Sequence, residues 1–95
     1  MDKFGELVSW FRSNCNGDWE HLNELRIFSL DNPGWRLIVS FRDTPLEKKE
    51  FESIKSDVSS DDWMFCSVKD EQFEGACSFD RLNEMISVFL DWIDS

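Results

Sequence analysis

Residues 24–41 read ELRIFSLDNPGWRLIVSF, and this stretch decides the fold. In its second half Trp35, Leu37, Val39 and Phe41 alternate with Arg36, Ile38, Ser40 and Arg42, and only Ile38 breaks the polar side. A period of two with one apolar side is a strand that turns one face to a core. The run before it carries Leu25, Ile27, Phe28 and Leu30 and reads as the partner strand. Between them Asn32-Pro33-Gly34 puts proline and glycine where a type II turn asks for them. The stretch is therefore a hairpin, and the rest of the chain is read outward from it.

Toward the C-terminus, residues 43–50 form a charged connection. Phe51, Ile54, Lys55 and Val58 fit helical spacing, but the segment is short and rich in serine, which favours an irregular edge strand. Ser59–Asp62 is a turn, Trp63–Val68 a strand, Asp70-Glu71 a tight connection and Gln72–Cys77 a returning strand. Gly75 inside that strand marks a bulge or a close backbone approach. Leu82, Met85, Ile86, Phe89 and Ile93 then repeat at helical spacing, with Ser78 or Asp80 as cap and Asn83, Glu84, Asp91 and Asp94 on the other side. Toward the N-terminus, Phe4, Leu7, Val8 and Phe11 form one helical stripe. Asp2 favours its positive end, and Asn16-Gly17 stops it near Cys15. The loop Asn16–His21 leads into the hairpin. The class is α+β: an antiparallel meander of four to five strands flanked by an N-terminal and a C-terminal helix packed on one face, in a single domain over residues 1–95.

The 95 residues include nine Phe and five Trp, ample material for a core and too aromatic for disorder. Twenty Asp and Glu oppose ten Lys and Arg, a formal net charge of -10. Such a surface repels nucleic acid and anionic lipid and attracts basic proteins, unless the acidity serves only solubility. No apolar run is long enough to span a membrane. Cys15, Cys66 and Cys77 leave at least one thiol unpaired, although Cys66 and Cys77 can face each other across a hairpin. With no signal peptide at the N-terminus, a reducing cytoplasm is the simpler reading.

Constellations for catalysis are few. The single histidine, His21, neighbours Glu20 and follows Asp18, a set that a divalent ion would need in convergent geometry. Neighbouring loop residues rarely converge in that way, so a structural or contact role is favoured. No phosphate-binding glycine loop, nucleophile elbow, dinucleotide fingerprint or zinc-type spacing is present, and no cofactor is implied. Pairs such as Asp57 with Asp61, or Asp61-Asp62, arise freely among twenty acids. Trp10, Trp35, Trp63 and Trp92 sit in or beside apolar patterns and read as core, whereas Trp19 in its acidic loop is a lid over the core or an exposed anchor for a partner.

Three stretches together resemble one family: Gly17-Asp18-Trp19-Glu20-His21, then Leu30-Asp31-Asn32-Pro33-Gly34-Trp35, then Thr44-Pro45-Leu46. Asp61-Asp62-Trp63, Phe73-Glu74-Gly75-Ala76 and the closing helix Leu82–Trp92 continue the pattern. It is similar to immunity protein family fifty-three of the bacterial polymorphic-toxin systems, over almost the whole chain. Where that pattern has Tyr-Gly this chain has Leu22-Asn23, and where it has a turn glycine this chain has Asp70-Glu71. The resemblance implies a cytoplasmic antidote in bacterial competition, which binds a cognate toxin C-terminal domain and blocks it sterically or by mimicking phosphates. Many such toxins are basic nucleases, which the charge of -10 would suit. The alternatives are a non-inhibitory adaptor or chaperone for a basic effector and, in a different class, a small metal-dependent enzyme using Asp18, Glu20 and His21. Contact residues are expected among the loop acids Asp57, Asp61 and Asp62 first, then Asp18, Glu20, Asp31, Asp70 and Glu71. The partner is a protein, with neither nucleic acid nor membrane, and the chain itself is a monomer or, through an exposed edge strand, a weak homodimer.

Overall fold

The computed structural model describes residues 2–95. Helix α1 (Lys3–Asn14) is followed by a short helix α2 (Trp19–Leu22), strands β1 (Leu25–Leu30), β2 (Gly34–Ser40), β3 (Ile54–Ser59), β4 (Asp62–Lys69) and β5 (Gln72–Cys77), and helix α3 (Leu82–Asp94). One-turn 3-10 segments at Pro45–Lys48 and Phe79–Arg81 precede β3 and α3. The strands form one antiparallel sheet in the order β1-β2-β5-β4-β3. The class is α+β, as the patterning requires.

The expected continuous meander is broken once. From β2 the chain crosses to the far edge, forms β3, and returns through β4 to set β5 beside β2. The burial of each strand explains the order. Every second residue of β5 (Phe73, Gly75, Cys77) is buried, which suits a central strand. In β3 only Ile54 and Ser56 are even half-buried, and a register shift between Asp57 and Ser59 distorts its pairing. A strand with so little to bury is stable only at an edge, where a bulge also discourages further pairing. The connection, residues 41–53, stays on the helical side: Leu46 is buried there, and the Phe51 ring meets Phe73 and Trp92 at 5.5 and 5.3 Å.

Both long helices lie on one face of the sheet. Leu37, Val39, Phe73, Cys77, Met64 and Cys66 from the strands meet Leu7, Met85, Ile86, Phe89 and Leu90 from α1 and α3 in one core. Helix α1 contributes less than its stripe suggests. Only Leu7 is fully buried, Phe4 is exposed, and Trp10 makes the main contact to α3, its ring 5.0 Å from Phe89. Gly75 is a close approach and not a bulge, since a Cβ there would fall 2.6 Å from the Met85 sulfur. The deletion of one side chain on β5 is what lets α3 sit down on the sheet.

Three local expectations change. Gly34 has no positive φ, so the type II turn is absent; residues 31–33 make the turn and Gly34 already pairs with Leu30. Glycine is required there because a Cβ would strike the Cys77 carbonyl oxygen and lie 2.9 Å from the Trp63 ring. Neither Ser78 nor Asp80 caps α3, whose N-cap position is Arg81 with no side-chain cap bond. The Ser78 hydroxyl instead closes the β4–β5 ladder, accepting from the Trp63 amide at 3.2 Å and donating to the Trp63 carbonyl at 3.3 Å. Cys66 stands opposite Gly75 and Cys77 opposite Met64, so the two thiols are diagonal neighbours and both are free. At α1, by contrast, Asp2 is a true N-cap, its carboxylate accepting from the Gly5 amide at 2.7 Å.

Candidate partner-binding surface

The loop after α1 is folded around its own polar groups. Asn16 Oδ1 accepts from the amides of Asp18 and Trp19 at 2.9 and 2.8 Å. The Glu20 carboxylate reaches back to the amides of Asn16 and Gly17 at 3.0 and 2.9 Å. This reciprocal arrangement satisfies the free donors at a helix start. Glu20's own backbone amide and those two amides hold its carboxyl below the usual glutamate value. Asp18, Glu20 and His21 therefore do not converge on a common point, and among the described residues no group of three His, Cys, Asp or Glu side chains is arranged to hold a metal ion. Trp19 is the lid and not the exposed anchor. It is buried, its ring packs at 4.9 Å from Phe11, and its Nε1 donates to the Arg42 carbonyl at 2.6 Å.

The eight acids singled out in the sequence fall at the two ends of the sheet. Asp31 in the β1–β2 turn, Asp57 near the end of β3, and Asp61 and Asp62 at the β3–β4 turn share one end. Asp70 and Glu71 in the β4–β5 turn share the other with Asp18 and Glu20, since α2 runs into β1 there and surface depressions place Glu20, His21 and Leu22 beside Ser40 and Gln72, and Leu22 beside Asp70 and Glu71. The two groups stand roughly one strand length, about 20 Å, apart.

Not all eight are free. Glu20 is engaged as described. Asp62 pairs with Arg81 at 3.3 Å, and the same guanidinium holds Glu84 at 2.7 Å and the Ser56 hydroxyl at 3.0 Å. Arg81 thus rivets the start of α3 to β3 and β4, and Asp62 belongs to that rivet. Asp18, Asp31, Asp57, Asp61, Asp70 and Glu71 are exposed and, among the described residues, make no side-chain ion pair.

Between the two ends lies a face that sequence reasoning did not single out. With both helices on one side, the other side of the sheet carries no helix. One row across it runs Phe28, Arg36, Ala76, Phe65, Lys55, and the next runs Arg26, Ile38, Glu74, Ser67. Phe28 is 37% exposed, with the Arg26 guanidinium 4.9 Å from its ring centre. Arg36 and Glu74 pair at 2.9 Å in the middle of the face. A shallow groove of about 250 Å³ crosses it, bounded by Arg36, Phe65, Ser67, Glu74 and Ala76. The signal in the sequence was Ile38, the one apolar residue on the side of β2 read as polar.

No helix is long and apolar enough to cross a membrane. One protein-family model, described as immunity protein 53, matches residues 4–94, nearly the whole chain. No curated protein and no solved structure matches it.

Proposed function

The chain belongs to the immunity protein 53 family, and on that premise we propose that it neutralises a cognate polymorphic toxin in the cytoplasm by binding the toxin's C-terminal domain. The observation that carries this reading is the family match over residues 4–94, nearly the whole chain. Neutralisation proceeds by occlusion and not by chemistry on the toxin. The loops offer exposed carboxylates instead of a convergent set, and the loop around Glu20 is committed to its own backbone.

The target is a basic domain, a nuclease being the natural case. A charge of -10 favours encounter with a cationic surface and opposes nucleic acid. The exposed acids Asp18, Asp31, Asp57, Asp61, Asp70 and Glu71 are the groups available to meet it. The test is a toxin-activity assay on the cognate toxin's C-terminal domain, titrated with the purified protein. Inhibition saturating at a fixed stoichiometry is expected. A saturated complex with undiminished toxin activity would replace neutralisation by the adaptor reading.

A further inference from the structure

We propose that the uncovered face of the sheet, centred on Phe28, Arg36, Phe65 and Glu74, is the surface on which the basic toxin domain docks. This rests on the reading of the chain as an immunity protein and adds the face to it.

The first argument is chemical. An antiparallel sheet that meets water on one side presents polar residues there. This one presents Phe28, Ile38, Phe65 and Ala76 in adjoining positions of two rows, with Arg26 and Arg36 among them. Aromatic residues and arginine gathered at the centre are the composition of a binding surface; Lys55 stands at the β3 edge of the same row. The only acid within these two rows, Glu74, is already paired with Arg36.

The second argument is geometric. The exposed acids Asp31, Asp57 and Asp61 lie at one end of this face, and Asp70 and Glu71 at the other. A rigid partner that meets both ends must lie over one side of the sheet. On the helical side it would have to clear a layer about 10 Å thick. On the uncovered side it reaches both ends directly, with its middle on the Phe28–Phe65 rows.

Charge selects the occupant. Two copies of a chain at -10 repel each other, as do the chain and any nucleic acid, whereas a cationic protein is drawn to both acidic ends. The acids at the two ends govern encounter, and the Phe28, Ile38 and Phe65 side chains around the Arg36–Glu74 pair exclude water once contact is made.

The test uses two substitutions that introduce the same arginine charge on opposite sides of the protein. Ser67 is exposed in the groove, and Asn83 is exposed on α3. Ser67→Arg and Asn83→Arg are compared with the unsubstituted chain for thermal stability and for affinity to the cognate toxin's C-terminal domain. The expected result is normal melting for both, with binding weakened by at least roughly tenfold in Ser67→Arg alone. Phe28→Glu, at the β1 edge, provides the second variant and should weaken binding in the same way. If the unsubstituted chain binds and inhibits while Ser67→Arg and Phe28→Glu bind as tightly, the face is wrong and the function stands. A loss confined to Asn83→Arg would place the toxin on the helices. If the unsubstituted chain binds no toxin, the functional reading itself falls.

Discussion

Gly34 and the two core cysteines illustrate how much a single position depends on what lies across from it. Proline before Gly34 suggests a turn, yet the glycine serves the strand, because the Cys77 carbonyl and the Trp63 ring occupy the space of a Cβ. Cys66 and Cys77 behave as small apolar residues. Burial is the main cause that lifts their thiols from 9.0 to about 12 and about 11. Groups whose pKa is raised by folding contribute fully below the unfolded value and lose that contribution as pH climbs through the folded value. The urea midpoint is therefore expected to fall as pH rises from about 9 toward 11–12, and Cys66→Ala, Cys77→Ala together should flatten that fall. In the native protein at pH 8, iodoacetamide should label Cys15 alone, as counted by mass spectrometry, since only Cys15 is exposed. Labelling of all three at equal rates would contradict the packed core.

At the scale of elements, the β4–β5 hairpin carries a cost. Asp70 and Glu71 both have positive φ, 54° and 59°. A two-residue hairpin of this kind prefers Asn-Gly, because a Cβ in the left-handed region crowds the backbone. Changing Asp70-Glu71 to Asn-Gly should stabilise the protein by about 1 kcal/mol, read as a higher thermal midpoint. An unchanged or lower midpoint would mean that these residues gain as much elsewhere as the turn costs. The same change removes two of the exposed acids at one end of the sheet, so a stabilised variant that associates more slowly with the toxin would tie the retained strain to binding. The other junctions are tied by specific side chains. Arg81 links α3 to β3 and β4, and the Trp92 indole, donating to the Glu50 carbonyl at 2.9 Å, links α3 to the β2–β3 connection. Neither link was legible beforehand, because an arginine or tryptophan reveals its partner only when distant segments are adjacent.

For the whole molecule, charge and shape divide the work of recognition. The excess of acid sets a long-range field, which salt screens over roughly 8–10 Å at ordinary ionic strength. Association with the toxin domain should slow steeply as salt rises, while dissociation changes little. Replacing Asp57, Asp61 and Asp62 by Asn should lower the association rate and its salt dependence in stopped-flow measurements. An unchanged rate would remove that end of the sheet from the encounter. Because Asp62 also pairs with Arg81, the pair Asp57→Asn, Asp61→Asn separates the kinetic effect from any loss of stability.

The sequence by itself determined the two long helices and the strands, but not helix α2, which lies where a loop was expected. Alternation in residues 35–41, the spacing of Leu82 to Ile93, and the acidic cap at Asp2 rest on local periodicity and local hydrogen bonds, which neighbours along the chain are sufficient to specify. It also determined the family and the charge. Only the tertiary structure decided that β5 and not β3 pairs with β2, that Glu20 and Asp62 are spoken for, that Trp19 is a lid, and that Phe28, Ile38 and Phe65 share a face without a helix. The reason is physical. Strand order and the faces it creates follow from which segments are paired along both edges and which have too little to bury to leave the edge, a competition among residues far apart in the chain, and no local pattern carries its outcome.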